Sequence, residues 1–174
     1  RHRAQRLAHL RGQDVVVLGI PRGGVPVAAE VATALGAPLD VVIVRKLGTP
    51  GQPELGLGAI GEEDVRIVND QIMRLTGTSE RALAQVEASE RVELERRARR
   101  FRSGRAPVPV RGRVAVIVDD GIATGSTARA ACRIVRARGA TRVVLAVPVA
   151  PPGWTDDFSD EADELIAVES PAGF

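Results

Sequence analysis

Two adjacent carboxylates, Asp119 and Asp120, close the apolar run Val116-Ile117-Val118. The loop Gly121-Ile122-Ala123-Thr124-Gly125-Ser126-Thr127 follows, and then a helical pattern, Ala128 to Arg138, stopped by Gly139. The order is strand, acid pair, small-residue loop, helix. Successive N–H groups at a helix N-terminus, with the helix dipole behind them, favour an anion. Small residues let a phosphate approach the backbone closely. The acid pair just upstream suits sugar hydroxyls or a divalent cation. Together these residues describe a sugar phosphate, with the phosphate on the loop and the diol on Asp119 and Asp120. Helix capping by Ser or Thr accounts for one or two loop residues but not for the acids. The loop lacks the Lys of a G-x-x-x-x-G-K-[ST] motif, and it is not G-x-G-x-x-G.

A second candidate is Gly19-Ile20-Pro21-Arg22-Gly23-Gly24, at the carboxyl end of the strand pattern Asp14 to Ile20. Alone it reads as a strand-to-helix turn. In an open parallel sheet, however, ligands gather at the carboxyl ends of strands, near the topological switch point. Two Gly-rich loops on one sheet edge would hold the two ends of a molecule with two phosphate-bearing groups. Arg22 offers paired donors to phosphate oxygens. Lys46, next to Arg45, is the one lysine in a chain with 23 arginines. That usage suggests a GC-rich genome. A compact ammonium is a good phosphate ligand and is not interchangeable with guanidinium.

These residues need a frame. Residues 14–20 read as a buried strand, 25–35 as a helix closed by Gly36, and 39–44 as another buried strand. Strand–helix–strand units imply a parallel sheet with helices on its faces. Residues 114–118, 126–138 and 143–147 form a second such unit. Between the two lies a Gly/Pro-rich stretch, 47–64, with few apolar anchors. Segments that long are often lids, so residues 48–63 are expected to be mobile, with 55–60 and 65–68 able to pair as a hairpin arm. Ser79 is a plausible N-cap for a helix to Arg102, with Ala82, Val86, Val92 and Leu94 as its apolar stripe. Residues 103–109 read as a linker, 148–158 as irregular, and 164–169 as a short final strand. The expected fold class is α/β: an open, mostly parallel, doubly wound sheet. A chain of 174 residues fits one domain, 1–174, with its core over about 14–149.

Net charge is +2, and no run reaches the ~18 apolar residues of a membrane span. No signal peptide is visible, and the single Cys132 argues against an oxidising compartment, so a cytoplasmic setting is expected. Cys132 itself reads as a small core residue. The arginines of 81–113 alternate with Glu87, Glu90, Glu93 and Glu95, which favours a solvated helix face with i,i+4 pairs. With aromatics at 2%, there is no stacking platform for nucleic acid, which is not an expected partner; neither is a membrane.

The acid pair followed by Thr124-Gly125-Ser126-Thr127 resembles the phosphoribosyl pyrophosphate (PRPP) motif of type I phosphoribosyltransferases. Pro21–Gly24 resembles their pyrophosphate loop, and residues 47–64 match their flexible loop. The branch most similar is a bacterial one with Pro-Arg-Gly-Gly, Arg-Lys-Leu-Gly with Pro-Glu-Leu, and Asp-Asp-Gly-x-Ala-Thr-Gly. Here these are Pro21–Gly24, Arg45–Gly48 with Pro53–Leu55, and Asp119–Gly125. The resemblance implies PRPP and Mg²⁺ as ligands and transfer of phosphoribose to a small aromatic nitrogen base. It implies that Arg22, Gly23, Gly24 and Lys46 hold pyrophosphate, with Arg45 a further PRPP contact. Asp119 and Asp120 would hold the ribose hydroxyls and the metal, one through water. Thr124, Gly125, Ser126 and Thr127 would hold the 5′-phosphate, with Ala123 a further PRPP contact. Glu54 is the candidate for proton transfer at the base. A small hood from the N-terminus and about 150–174, a homodimer, and a cis peptide at Pro21–Arg22 are further implications. Two positions depart from the pattern: Gln52 stands where the branch often has His, and Ala123 where hypoxanthine-guanine enzymes have an acid. The sequence opens at Arg1 without Met and ends abruptly at Phe174, so part of the hood is expected to be missing. The alternative is a PRPP- or nucleotide-sensing regulator on the same fold, binding RNA through arginines near 96–113, as in pyrimidine-operon attenuators.

Overall fold

The computed structural model describes residues 7–121, 125–150 and 152–169. After a short 3-10 turn at Ala8–Leu10 come β1 (Val15–Gly19), α1 (Gly24–Leu35), β2 (Leu39–Val41), β3 (Arg45–Thr49), β4 (Gln52–Ile60) and β5 (Arg66–Val68). Then come α2 (Asp70–Thr76), α3 (Glu80–Arg102), β6 (Val114–Val118), α4 (Ser126–Ala137), β7 (Arg142–Val149), α5 (Trp154–Phe158) and β8 (Glu164–Glu169). Five strands form one sheet in the order β2-β1-β6-β7-β8, and every pair in it is parallel.

All residues of β1 and β6 are buried. Continuous apolar runs of this kind belong to strands covered on both faces. Because strand side chains alternate, each run divides between two cores. Val15, Val17 and Val116 pack with Ala28, Val31 and Ala32 of α1. Val16, Leu18 and Ile117 pack on the other face with Ala128, Ala131, Cys132 and Val135 of α4. The sheet is therefore doubly wound, as the two strand–helix–strand units imply. Cys132 is a buried core residue, and burial pushes its thiol up to about 12, so it stays protonated. Among the described residues no helix is long and apolar enough to cross a membrane.

Residues 39–44 do not continue as one buried strand. Only Leu39–Val41 pairs with β1, and the chain then turns into a separate antiparallel sheet, β3-β4-β5. Leu47, Leu57 and Ile60 of that sheet are buried against Leu83, Leu94 and Ala98 of α3. The expectation that 47–64 lacks apolar anchors is therefore corrected. The anchors are there, but alternation with glycine masks their periodicity. The hairpin arm itself is present, and residues 50–54 are its exposed tip. The stripe on α3 also differs from the expected one. Leu83, Leu94 and Ala98 face inward, whereas Val92 is 68% exposed on the opposite side. Residues 154–158 form a short helix whose Trp154 and Phe158 are buried, with ring centroids 6.0 Å apart.

One buried ionic triad fixes α3 to the bend after β2. Arg102 is 5% exposed. Its Nε donates to Asp40 Oδ1 at 2.9 Å, Nη2 donates to Glu62 Oε1 at 2.6 Å, and Nη1 donates to Glu62 Oε2. Asp40 Oδ2 also accepts from the Val108 backbone N–H at 2.8 Å. Removing one member of a buried ion pair strands the other charge. Arg102→Ala should therefore cost about 3–5 kcal/mol, read by denaturant unfolding. Arg102→Met should cost clearly less than the triad's full loss only if Asp40 and Glu62 are neutralised with it. Equal stability of Arg102→Ala and wild type would refute the anchoring role.

Candidate functional site

β1 and β6 are neighbours, with Gly19 opposite Val118, so their carboxyl ends lie side by side. From β1 the sheet extends to β2 on one side and to β6 on the other, which makes this edge the topological switch point. The Ile20 N–H donates to the Val118 carbonyl at 2.9 Å, which ties the two strand ends together. The chain then turns through Pro21, Arg22 and Gly23 into α1, and the Pro21–Arg22 peptide bond is cis. A methyl group placed on Gly23 would lie 2.0 Å from Asp120 Oδ2. One placed on Gly24 would lie 2.3 Å from the Val118 carbonyl oxygen. Only glycine permits this closeness, and the two candidate anion loops share one cleft.

The two carboxylates differ. Asp120 is exposed at the cleft, and Asp119 is half-buried behind it. Burial, and secondarily the neighbouring Asp120 carboxylate, push Asp119 up to about 6, although the Asp120 N–H donates to its Oδ1 at 2.8 Å. The sign follows from proton counting. Between its ordinary value near 3.8 and about 6, the folded chain holds this proton more tightly than the unfolded chain. Its contribution is therefore fully present at acid pH and is lost as pH rises through about 6. Because the carboxylate is only part-buried, solvent screening reduces the effect to about 1 kcal/mol. Asp119→Asn should remove this slope. The difference in unfolding free energy between variant and wild type should grow from pH 4 to 6.5 in the variant's favour. A pH-independent difference would show that Asp119 is not perturbed.

α4 begins at Ser126, with Gly125 as its N-cap, so its first-turn N–H groups point at the same cleft. Lys46 crosses from β3, and its Nζ donates to Ser126 Oγ at 2.9 Å. The lysine is thus seated beside the small-residue loop. Thr127 lines a cavity of about 320 Å³ together with Ile20, Pro21, Arg45, Lys46 and Phe101. Arg45 is held by Glu90 of α3, Nε to Oε1 at 2.7 Å. Arg22 is exposed at the rim. Ala123 and Thr124 lie outside the described residues. Glu54 sits at the exposed hairpin tip, and among the described residues no hydrogen bond or ion pair ties it to Asp119, Asp120 or Lys46.

Sequence reasoning missed the part played by α3. Arg97 and Phe101 line the same cavity as Lys46 and Thr127. The signal was their i,i+4 spacing on one helix face. The expected pairing with glutamate is also present: Arg96 and Arg97 both donate to Glu93, holding it down to about 2. A larger cavity, about 530 Å³, lies between α3 and the β4–β5 turn. It is lined by Glu62, Arg91, Glu95, Arg99 and Arg105, and by no residue of the strand-end loops.

Among the described residues no group of three or more His, Cys, Asp or Glu could hold a metal ion. Two adjacent carboxylates instead match the way Mg²⁺ is held, by one or two protein oxygens completed by water and substrate phosphates.

A family model described as the phosphoribosyl transferase domain matches residues 2–169. Two Mycobacterium tuberculosis proteins, from strains CDC 1551 and H37Rv, are 58% identical over all 174 residues. Both are provisionally named phosphoribosyl transferases, and the chain spans 39% of their length. A crystal structure from Thermus thermophilus is similar at 44% identity and a TM-score of 0.86, covering 99% of this chain and 81% of that one. The adenine phosphoribosyltransferase of Giardia lamblia, complexed with 9-deazaadenine, shares the fold at 16% identity and a TM-score of 0.53, covering 98% and 77%.

Proposed function

The chain belongs to the phosphoribosyl transferase family, and from that premise we propose that it transfers phosphoribose from PRPP to a nitrogen of a small aromatic base. A base nitrogen forms the new bond to the anomeric carbon as the bond to pyrophosphate breaks. The base gives up its proton, and pyrophosphate leaves with the bonding electrons. The observation that carries this reading is the contact of Gly23 with Asp120, which makes the two loops one site.

The residues divide the work by chemistry. Arg22 and the Gly23 and Gly24 amides receive pyrophosphate, as a glycine turn and a fork of donors suit a multiply charged leaving group. The first turn of α4, with Gly125, Ser126 and Thr127, receives the 5′-phosphate, and Lys46 stands beside it. Asp119 and Asp120 orient the ribose through its hydroxyls. They would also hold Mg²⁺, which when bound neutralises charge on the leaving group. Ala123 and Thr124 complete the phosphate loop in this reading. The β3–β4 arm excludes water from a cleft in which hydrolysis would compete, with Glu54 carried on its tip. Glu93 takes two donors of Arg96, and aromatics are only 2% of the chain, so the α3 face offers no stacking platform; both favour an enzyme over an RNA-binding regulator.

The test is pyrophosphate release from PRPP and Mg²⁺ across a panel of purine, pyrimidine and pyridine bases. Release that depends on one base class supports the reading. Silence across the panel, with PRPP demonstrably bound, turns it towards a regulator.

A further inference from the structure

Resting on that reading of the Pro21–Gly24 loop, we infer that the cleft continues into a second anion subsite, built by Arg22, Arg97 and Arg100, which takes the third phosphate group of a polyphosphate chain. A hollow of about 110 Å³ lies between the Pro21–Arg22 turn and α3, lined by Pro21, Arg22, Arg96, Arg97, Arg100 and Phe101. It shares Pro21, Arg97 and Phe101 with the larger cavity that holds Arg45, Lys46 and Thr127. The two hollows therefore adjoin, and a path runs from the small-residue loop past the glycine turn to Arg100.

Charge decides what that path accepts. Six cationic side chains line it: Arg22, Arg45, Lys46, Arg96, Arg97 and Arg100. Two carboxylates answer them, Glu90 on Arg45 and Glu93 on Arg96 and Arg97. The two hollows therefore carry a surplus of four positive charges, with Asp119 and Asp120 next to the glycine turn but lining neither hollow, where the whole chain has a net charge of +2. No acid lines the smaller hollow. Guanidinium keeps its charge at any working pH, so the surplus cannot titrate away.

The donors are available as well as charged. Arg97 uses only Nε on Glu93, at 3.2 Å, which leaves both terminal nitrogens. Among the described residues, the side chains of Arg22 and Arg100 make no hydrogen bond or ion pair. Planar forks of this kind match phosphate oxygens two at a time. The Gly23 and Gly24 amides with Arg22 receive pyrophosphate, and Arg97 and Arg100 share the adjoining hollow with Arg22. A chain of three phosphates would occupy both hollows and compete with PRPP.

Calorimetric titration of the full chain with pyrophosphate, tripolyphosphate and a nucleoside triphosphate, at fixed ionic strength, tests this. Tripolyphosphate should bind wild type about tenfold more tightly than pyrophosphate, the size of one added charge-assisted contact. Arg100→Ala breaks no ion pair, and it should reduce that preference; Arg97→Ala with Arg100→Ala should remove it. Arg97→Lys with Arg100→Lys should keep part of it, since lysine restores charge but not the fork. A nucleoside triphosphate that binds as tightly as tripolyphosphate assigns the subsite to a nucleotide's phosphate tail, and one that binds weakly assigns it to free polyphosphate. Equal wild-type affinity for pyrophosphate and tripolyphosphate, or a preference unchanged by the Ala variants, overturns the inference. Failure of the transferase reading would appear separately, as absent PRPP binding and absent base-dependent pyrophosphate release.

Discussion

Replacing Asp119 and Asp120 together with Asn should abolish the thermal stabilisation that the wild-type chain gains from Mg²⁺ and PRPP. A ligand at one hundred times its Kd stabilises the folded state by about 2.7 kcal/mol. For a domain of this size that corresponds to roughly 5–10 °C in Tm. Losing two charged contacts to the ligand costs a few kcal/mol, on the order of a hundredfold or more in affinity. At the same PRPP concentration the variant should then gain only about 0.4 kcal/mol, roughly 1 °C. The unliganded variant should melt no lower than wild type. Asp119 is held above its ordinary range by burial and by Asp120, so neutralising the pair relieves an unfavourable charge. That combination, lost ligand response with retained stability, separates a binding role from a structural one. An equal PRPP-induced shift in both proteins would mean that the acid pair is not the ribose site, and the transferase reading would lose its central contact.

The parallel sheet was legible because burial on both faces leaves a plain signature: Val15–Gly19 and Val114–Val118 are apolar without interruption. The strand ends inherit their position from that sheet, which is why Pro21–Gly24 and Asp119–Asp120 could be placed on one edge before any contact was known. The β3–β4–β5 sheet was harder to read. Its buried residues Leu57, Ala59 and Ile60 sit among Gly56, Gly58 and Gly61, and glycine carries neither β-propensity nor a polar face to mark the alternation. The bend after Val41 was invisible for a different reason. It is set by Asp40 pairing with Arg102, 62 residues away, and no local pattern encodes a partner at that distance. Arg97 and Phe101 were hidden likewise. Their spacing makes a helix face, but which element faces it depends on how α3 crosses the switch point. Val92 shows the converse error: apolar character placed it in a stripe from which the true period, through Leu83, Leu94 and Ala98, excludes it.

Gly23 and Gly24 are adjacent, yet alanine at each should fail in a different way. At Gly24 the added methyl would meet the Val118 carbonyl oxygen at 2.3 Å; Val118 is fixed by the β1–β6 ladder, and Gly24 is held at the start of α1, its N–H donating to the Ile20 carbonyl at 2.9 Å. Val118 cannot move without breaking strand pairing, nor Gly24 without breaking the first turn of α1, so Gly24→Ala should destabilise the fold on the order of 3 kcal/mol or more. At Gly23 the methyl would meet Asp120 Oδ2 at 2.0 Å and Cγ at 2.5 Å. Asp120 is exposed, so its carboxylate can rotate away at a cost of about 1 kcal/mol. Gly23→Ala should therefore melt within a few degrees of wild type but present a displaced carboxylate to the ribose. Its PRPP-induced shift should fall towards that of the Asp119→Asn, Asp120→Asn variant. Melting curves with and without Mg²⁺ and PRPP distinguish the cases in one experiment. Full ligand response in Gly23→Ala would show that the position of Asp120 does not matter to binding. Wild-type melting in Gly24→Ala would show that α1 and β6 do not meet as closely as described, and the shared cleft on which the site depends would be wrong.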